Sequence, residues 1–197
     1  MKKGDFGYIK SNIKKSRLRT AILGSVCAFF FLFGYFHFGT NKNFLTIIST
    51  VLCIPLGLSL VNHIMFLRAK PCSKEAYKKI EEHRAGLIVN YDLFITSEKK
   101  DYSVSSIATV DNRIIAFVED EKVDTEALEL HIKRQIALSK YHDFMINISK
   151  NLDEYILLID ELNNIRIEKN IDPIQIEKDW EIGTVQTVNG VLLSISL

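Results

Sequence analysis

Between Thr20 and Gly39, and again between Phe44 and Leu67, the chain carries no Lys, Arg, Asp or Glu. At a rise of ~1.5 Å per residue, a helix over the first run extends ~30 Å, the thickness of a bilayer's hydrocarbon core. The second run is long enough to cross with some tilt. Between them, Gly39-Thr40-Asn41-Lys42-Asn43 has the composition of a tight polar turn. The two runs predict a transmembrane helical hairpin, 20–39 and 44–67. A buried soluble helix can also be apolar all round, but it does not call for basic clusters outside both runs. The first run is long for the apolar part of a signal peptide, and a second apolar run follows it directly, which argues against cleavage.

Charge divides the chain further. Residues 1–19 hold seven basic side chains against Asp5, a net of +6, and residues 68–84 carry +3. The turn between the runs has only Lys42, whereas residues 85–197 sum to −9. Loops rich in Lys and Arg stay in the cytoplasm. The expected arrangement is therefore a two-span protein of a bacterial cytoplasmic membrane with both termini cytoplasmic. Lys14, Lys15, Arg17, Arg19, Arg68 and Lys70 are the expected contacts with anionic headgroups. Four segments follow: a basic N-terminal stretch (1–19), the hairpin (20–67), a juxtamembrane basic linker helix (68–84) and an acidic cytosolic domain (85–197). Pro71 should end the second helix, and Ser73 should cap the linker helix through about Arg84. The polar His63, Asn62, His37 and Tyr35 sit near the ends of the runs, as interfacial anchors do.

Beyond the linker the pattern changes to that of a mixed domain. Residues 86–97, which mix β-branched and aromatic residues, predict a strand, and 102–110 and 113–119 predict two more, with Asp111-Asn112 as the turn between them. Asp124 can cap a helix from Thr125 to Lys140, with Leu128, Ile132 and Ile136 on one face. Residues 142–149 predict another strand, and 151–166 an amphipathic helix with Tyr155, Ile159 and Leu162 inward. A short helix is expected after Pro173, and Asn189-Gly190 between apolar runs predicts a closing hairpin. The fold class is thus membrane-anchored α+β, or α/β, with a mixed sheet of about five to six strands and two to three helices.

Cys27, Cys53 and Cys72 do not form a secreted disulfide framework, and free thiols in a reducing compartment are expected. No phosphate-binding glycine loop, dinucleotide fingerprint, zinc-protease helix or nucleophile elbow occurs in the sequence. His131 and His142 fall on different predicted elements, and no cofactor or metal is implied. An acidic domain repels phosphate backbones, which argues against nucleic acid as a partner.

One ordering of residues does carry chemistry. Asp101 or Asp111 on the early strands, the triplet Asp120-Glu121-Lys122 after the third, and Gln135 on the next helix resemble a degenerate restriction-endonuclease-like nuclease. The resemblance implies paired carboxylates on a divalent metal, with a lysine beside the attacking water. The triplet here lies in the charged turn EDEKVD, where the simpler reading is a solvated loop leading into a helix. Separately, FGYIKSNIKKSRLRT (6–20) and SLVNHIMFLRAKPCS (59–73) resemble small two-span membrane proteins of Gram-positive anaerobic bacteria, a likeness over about the first 75 residues. It implies a membrane location and no activity. The functional expectation is a membrane-anchored interaction or sensing module whose partners are the bilayer and a protein, another copy included. The alternative is a membrane-tethered, metal-dependent enzyme built on Asp111, Asp120 and Lys122.

Overall fold

The computed structural model describes residues 1–97, 100–180 and 186–197. It divides into two compact units, 9–68 and the remainder, in which Met1–Tyr8 belongs with Ala69–Leu197.

The first unit is two helices, α1 (Tyr8–Phe38) and α2 (Phe44–Arg68), both long and apolar enough to cross a membrane. Helix α1 begins twelve residues before the uncharged run because Lys, Arg, Ser and Ile there continue the helix with no Gly or Pro to stop it. Residues 1–19, read from sequence as one segment, therefore divide at Tyr8. The helices run antiparallel with a steady register: Ser16 meets His63, Thr20 meets Ser59, Gly24 lies beside Leu56 and Gly34 beside Leu45. Their packing inverts that of a soluble protein. Ser16, Cys27, Gly34, Ser49 and Ser59 are buried, while Phe36 is 78% and Leu58 70% exposed. Small and polar residues between helices with large apolar ones outside is the packing that lipid selects. Gly34 allows the closest approach: a Cβ there would lie 3.0 Å from Leu45 Cβ and 2.8 Å from Asn43 Oδ1.

In the second unit, Ser73 caps α3 (Lys74–His83) by accepting from the Ala76 amide at 3.1 Å. A four-stranded sheet follows, β1 (Val89–Thr96), β2 (Asp101–Val110), β3 (Arg113–Phe117) and β4 (Met145–Ser149), in the order β1-β2-β3-β4. The first three strands form the expected antiparallel meander; β4 returns parallel to β3 after the crossover helix α4 (Thr125–Leu138). Helix α5 (Leu152–Glu168) packs with α3 on one face, around Ile80, Ile115, Phe117, Tyr155 and Ile159. On the other face α4 packs with α7 (Val188–Ser194), around Val104, Ile114, Leu128, Ile132 and Leu192.

Three expectations are corrected. Among the described residues the sheet has four strands, not five to six; residues 85–197 carry four helices, not two to three; and Asn189-Gly190 makes no hairpin. Thr187 Oγ1 accepts from the Gly190 amide at 3.0 Å and caps α7, whose Val191 and Leu192 then enter the core. Among the described residues, the tail adds to the sheet one bridge, Ile95 to Ser196, and the bond from the Leu197 amide to the Phe94 carbonyl. The sequence around Pro173 forms α6 (Pro173–Asp179), capped by Asp172. Helix α2 stops at Arg68, three residues before Pro71, which lies in the linker to α3.

Candidate functional site

The acid-and-lysine constellation does not assemble. Asp111 occupies the turn before β3 and Asp120 the turn after it, at opposite ends of a five-residue strand about 17 Å long at ~3.4 Å per residue. Asp111 is bonded by Lys169, which holds its carboxyl below the usual range. Asp120 pairs with Lys70 at 2.8 Å and accepts from the Lys122 amide at 3.2 Å; the Lys70 bond likewise lowers its carboxyl. Lys122 is exposed in that turn, Asp101 is exposed at the start of β2, and Gln135 is part-buried on α4. Among the described residues no group of three or more His, Cys, Asp or Glu could hold a metal ion. Of the expected headgroup contacts, Lys14, Lys15, Arg17, Arg19 and Arg68 are exposed. Arg19 Nε also donates to Ser59 Oγ at 3.2 Å, and the Lys70 ammonium is engaged by Asp120.

A different residue organises the domain. Asp92, in the middle of β1, is 1% exposed and has φ +54°. Asp tolerates this left-handed conformation better than most non-glycine residues. Pairing jumps from Tyr91↔Ser106 to Leu93↔Val104, leaving Asp92 and Ser105 outside the ladder. Both strands switch faces at this point. Val89 and Tyr91 belong to the core under α3 and α5, yet Leu93 and Ile95 belong to the core under α4 and α7. A regular strand would keep Tyr91 and Leu93 on one face.

The Asp92 carboxylate receives two segments that are distant in sequence. Its Oδ2 accepts from the Gly7 amide at 2.6 Å, one residue before α1 begins, and its Oδ1 accepts from the Cys72 amide at 2.7 Å, four residues after α2 ends. Further bonds strap the same segments to the sheet. After α2, the Lys70 amide donates to Ser103 Oγ at 3.0 Å and the Ser73 amide to Glu119 Oε2 at 2.9 Å. Before α1, the Tyr91 amide donates to the Gly4 carbonyl at 2.7 Å. Phe6 stacks on Tyr77 at 4.0 Å and meets the edge of Tyr91. Tyr91 in turn donates its hydroxyl to Glu81 at 2.8 Å, and burial followed by that carboxylate pushes the phenol's titration upward. Lys3 donates to the Ser196 carbonyl, and burial lowers its ammonium. Gly4, at φ +90°, must be glycine, because a Cβ would lie 2.7 Å from Asn90 Oδ1.

Sequence reasoning passed over this junction. Its traces are a single acid inside a largely apolar strand, LIVNYDLFIT, and Phe6 between the two glycines of GDFG. The chain matches no family model, no curated protein and no solved structure.

Proposed function

We propose that this is a two-span protein of a bacterial cytoplasmic membrane whose acidic domain faces the cytoplasm and serves as an interaction or sensing module. The charge asymmetry supports the orientation: basic residues crowd residues 1–19, most of them in the first turns of α1, and residues 68–84, while the turn between the helices has Lys42 alone. The observation that carries the functional reading is the Asp92 junction. A domain held merely by a flexible tether needs one exposed linker. Here both chain segments that lead into the helices are bonded to one buried carboxylate in the sheet. A displacement of either segment breaks a charge-assisted hydrogen bond inside the domain and bears on the strand at its phase change. That coupling suits a module that reports on, or responds to, the state of its anchor.

The test is in-membrane photocrosslinking from exposed positions of α4 and α5 in the full chain. Covalent capture of a protein, the same chain or another, in wild type and its reduction in Asp92→Ala are expected. Equal capture in both, or turnover of a small molecule with no protein captured, overturns the reading.

A further inference from the structure

The register of α1 and α2 brings together two cysteines that lie 26 residues apart in sequence. Cys27 Sγ is 3.5 Å from Cys53 Sγ. Cys27 is buried against α2, with its sulfur 3.3 Å from Ser49 Oγ, and the Ser49 hydroxyl donates to the Cys27 carbonyl at 3.0 Å. Cys53 is exposed on the outer surface of the helix pair. Both sulfurs lie well inside the apolar stretch: Cys27 is eight residues beyond Arg19 and Cys53 six before Ser59, so each is roughly 10 Å from the level at which Arg19 meets Ser59.

We propose that Cys27 and Cys53 form a reversible interhelical disulfide, and that its oxidant is a lipid-dissolved quinone. The inference rests on the membrane reading above and names what the module senses, the redox state of the bilayer's electron carriers. Three arguments lead to it. Two sulfurs 3.5 Å apart on facing helices are already in van der Waals contact, the approach from which a disulfide closes to ~2.05 Å. A disulfide is neutral and costs nothing in hydrocarbon, whereas a soft metal held by two thiolates brings charge into it. Disulfide oxidants such as oxidised glutathione act by exchange with a thiolate, a species hydrocarbon disfavours, so an uncharged, lipid-soluble two-electron acceptor of the quinone class is the oxidant proposed.

Exposure divides the roles. Cys53 adds through sulfur to a quinone carbonyl carbon from the lipid side, its proton passing to the quinone oxygen; Cys27, shielded between the helices, then attacks the Cys53 sulfur, and the S–C bond breaks with its electron pair and the Cys27 proton leaving on the ring. Two S–H bonds break and one S–S bond forms, and the two electrons and two protons pass to the quinone, giving the hydroquinone. A thiol reductant reaching the site in detergent reverses the reaction.

Full chain in sealed membrane vesicles is exposed to a decyl-substituted benzoquinone, denatured, and alkylated with a maleimide, with intact mass recorded. The result expected is loss of two of the three alkylatable thiols in a monomeric chain lighter by two hydrogens, at a rate roughly tenfold or more above that with oxidised glutathione. Cys72→Ser should react like wild type, while Cys53→Ala, which removes one sulfur at the exposed side of the helix pair, should keep both remaining thiols. Three persistent thiols, or only intermolecular dimers through Cys53, overturn the proposal. Sedimentation of the same vesicles separates the two failures: a chain that stays in the membrane with unreacted thiols refutes the disulfide alone, and a chain found in the supernatant refutes the membrane reading beneath it.

Discussion

Replacing Asp92 should free the segments on both sides of the helical hairpin at once. Its two carboxylate oxygens accept from the Gly7 and Cys72 amides at 2.6 and 2.7 Å, and the side chain is buried. Hydrogen bonds to a charged group contribute ~1.5–3 kcal/mol each, so losing both costs ~3–6 kcal/mol. Asp92→Ala also leaves a residue at φ +54° that tolerates this backbone less well than aspartate does. The total rivals the ~5–15 kcal/mol that holds a whole domain together. Asp92→Asn is the gentler probe, because its amide oxygen keeps one bond while its NH₂ faces the other amide. Hydrogen exchange of the full chain in detergent micelles reads both ends. The alanine variant should lose protection at residues 4–8 and 70–73 together, and the asparagine variant chiefly at one of them. Unchanged protection at both segments in the alanine variant, with the domain still folded, would refute the junction.

Three further perturbations follow from the same geometry. Gly4→Ala places a Cβ against Asn90 Oδ1 in a left-handed backbone and should undock residues 1–7, seen as faster proteolysis of the N-terminal segment with α4 and α5 intact. Gly34→Val forces α1 away from Asn43 and Leu45 and should lower the thermal midpoint of the helix pair, by circular dichroism in micelles, while the far surface change Phe36→Leu leaves it unchanged. The Lys70–Asp120 pair depresses the Asp120 carboxyl, so its contribution is present above the ordinary carboxylate value near 3.8 and fades as the pH falls through the lower folded value. Lys70 is largely exposed, so the pair is a surface interaction worth at most ~1 kcal/mol. Accordingly, urea midpoints of wild type and Lys70→Met should differ slightly at neutral pH and converge as the pH falls below the ordinary carboxylate range; a constant offset across that range would show that the ion pair is not the cause.

Much of the fold was legible because it rests on local signals. The uncharged runs, the caps at Ser73 and Asp124, and the stripe Leu128, Ile132, Ile136 each announce an element within a few residues of itself, and each element is there. The tail misled for the same reason: Asn189-Gly190 is a hairpin signal by composition, but the Thr187 hydroxyl and the burial of Leu192 favour a helical turn. What stayed hidden depends on contacts across long sequence distances. Asp92 looks like an interruption in a strand until Gly7, 85 residues earlier, is placed against it. The Cys27–Cys53 pair appears only once the register of two featureless apolar helices is known. The nuclease-like order of Asp111, Asp120 and Lys122 was a property of the sequence line; the length of β3 keeps the two carboxylates apart in space.

The claim beneath all of this is that α1 and α2 cross a bilayer with the acidic domain inside the cell. Protease added to intact cells and, separately, to inverted membrane vesicles tests it directly, with an antibody to a tag after Leu197 as the readout. Protection in cells and cleavage in vesicles is the predicted pair of results. Cleavage from outside the cell, or recovery of the chain from the soluble fraction without detergent, would contradict it.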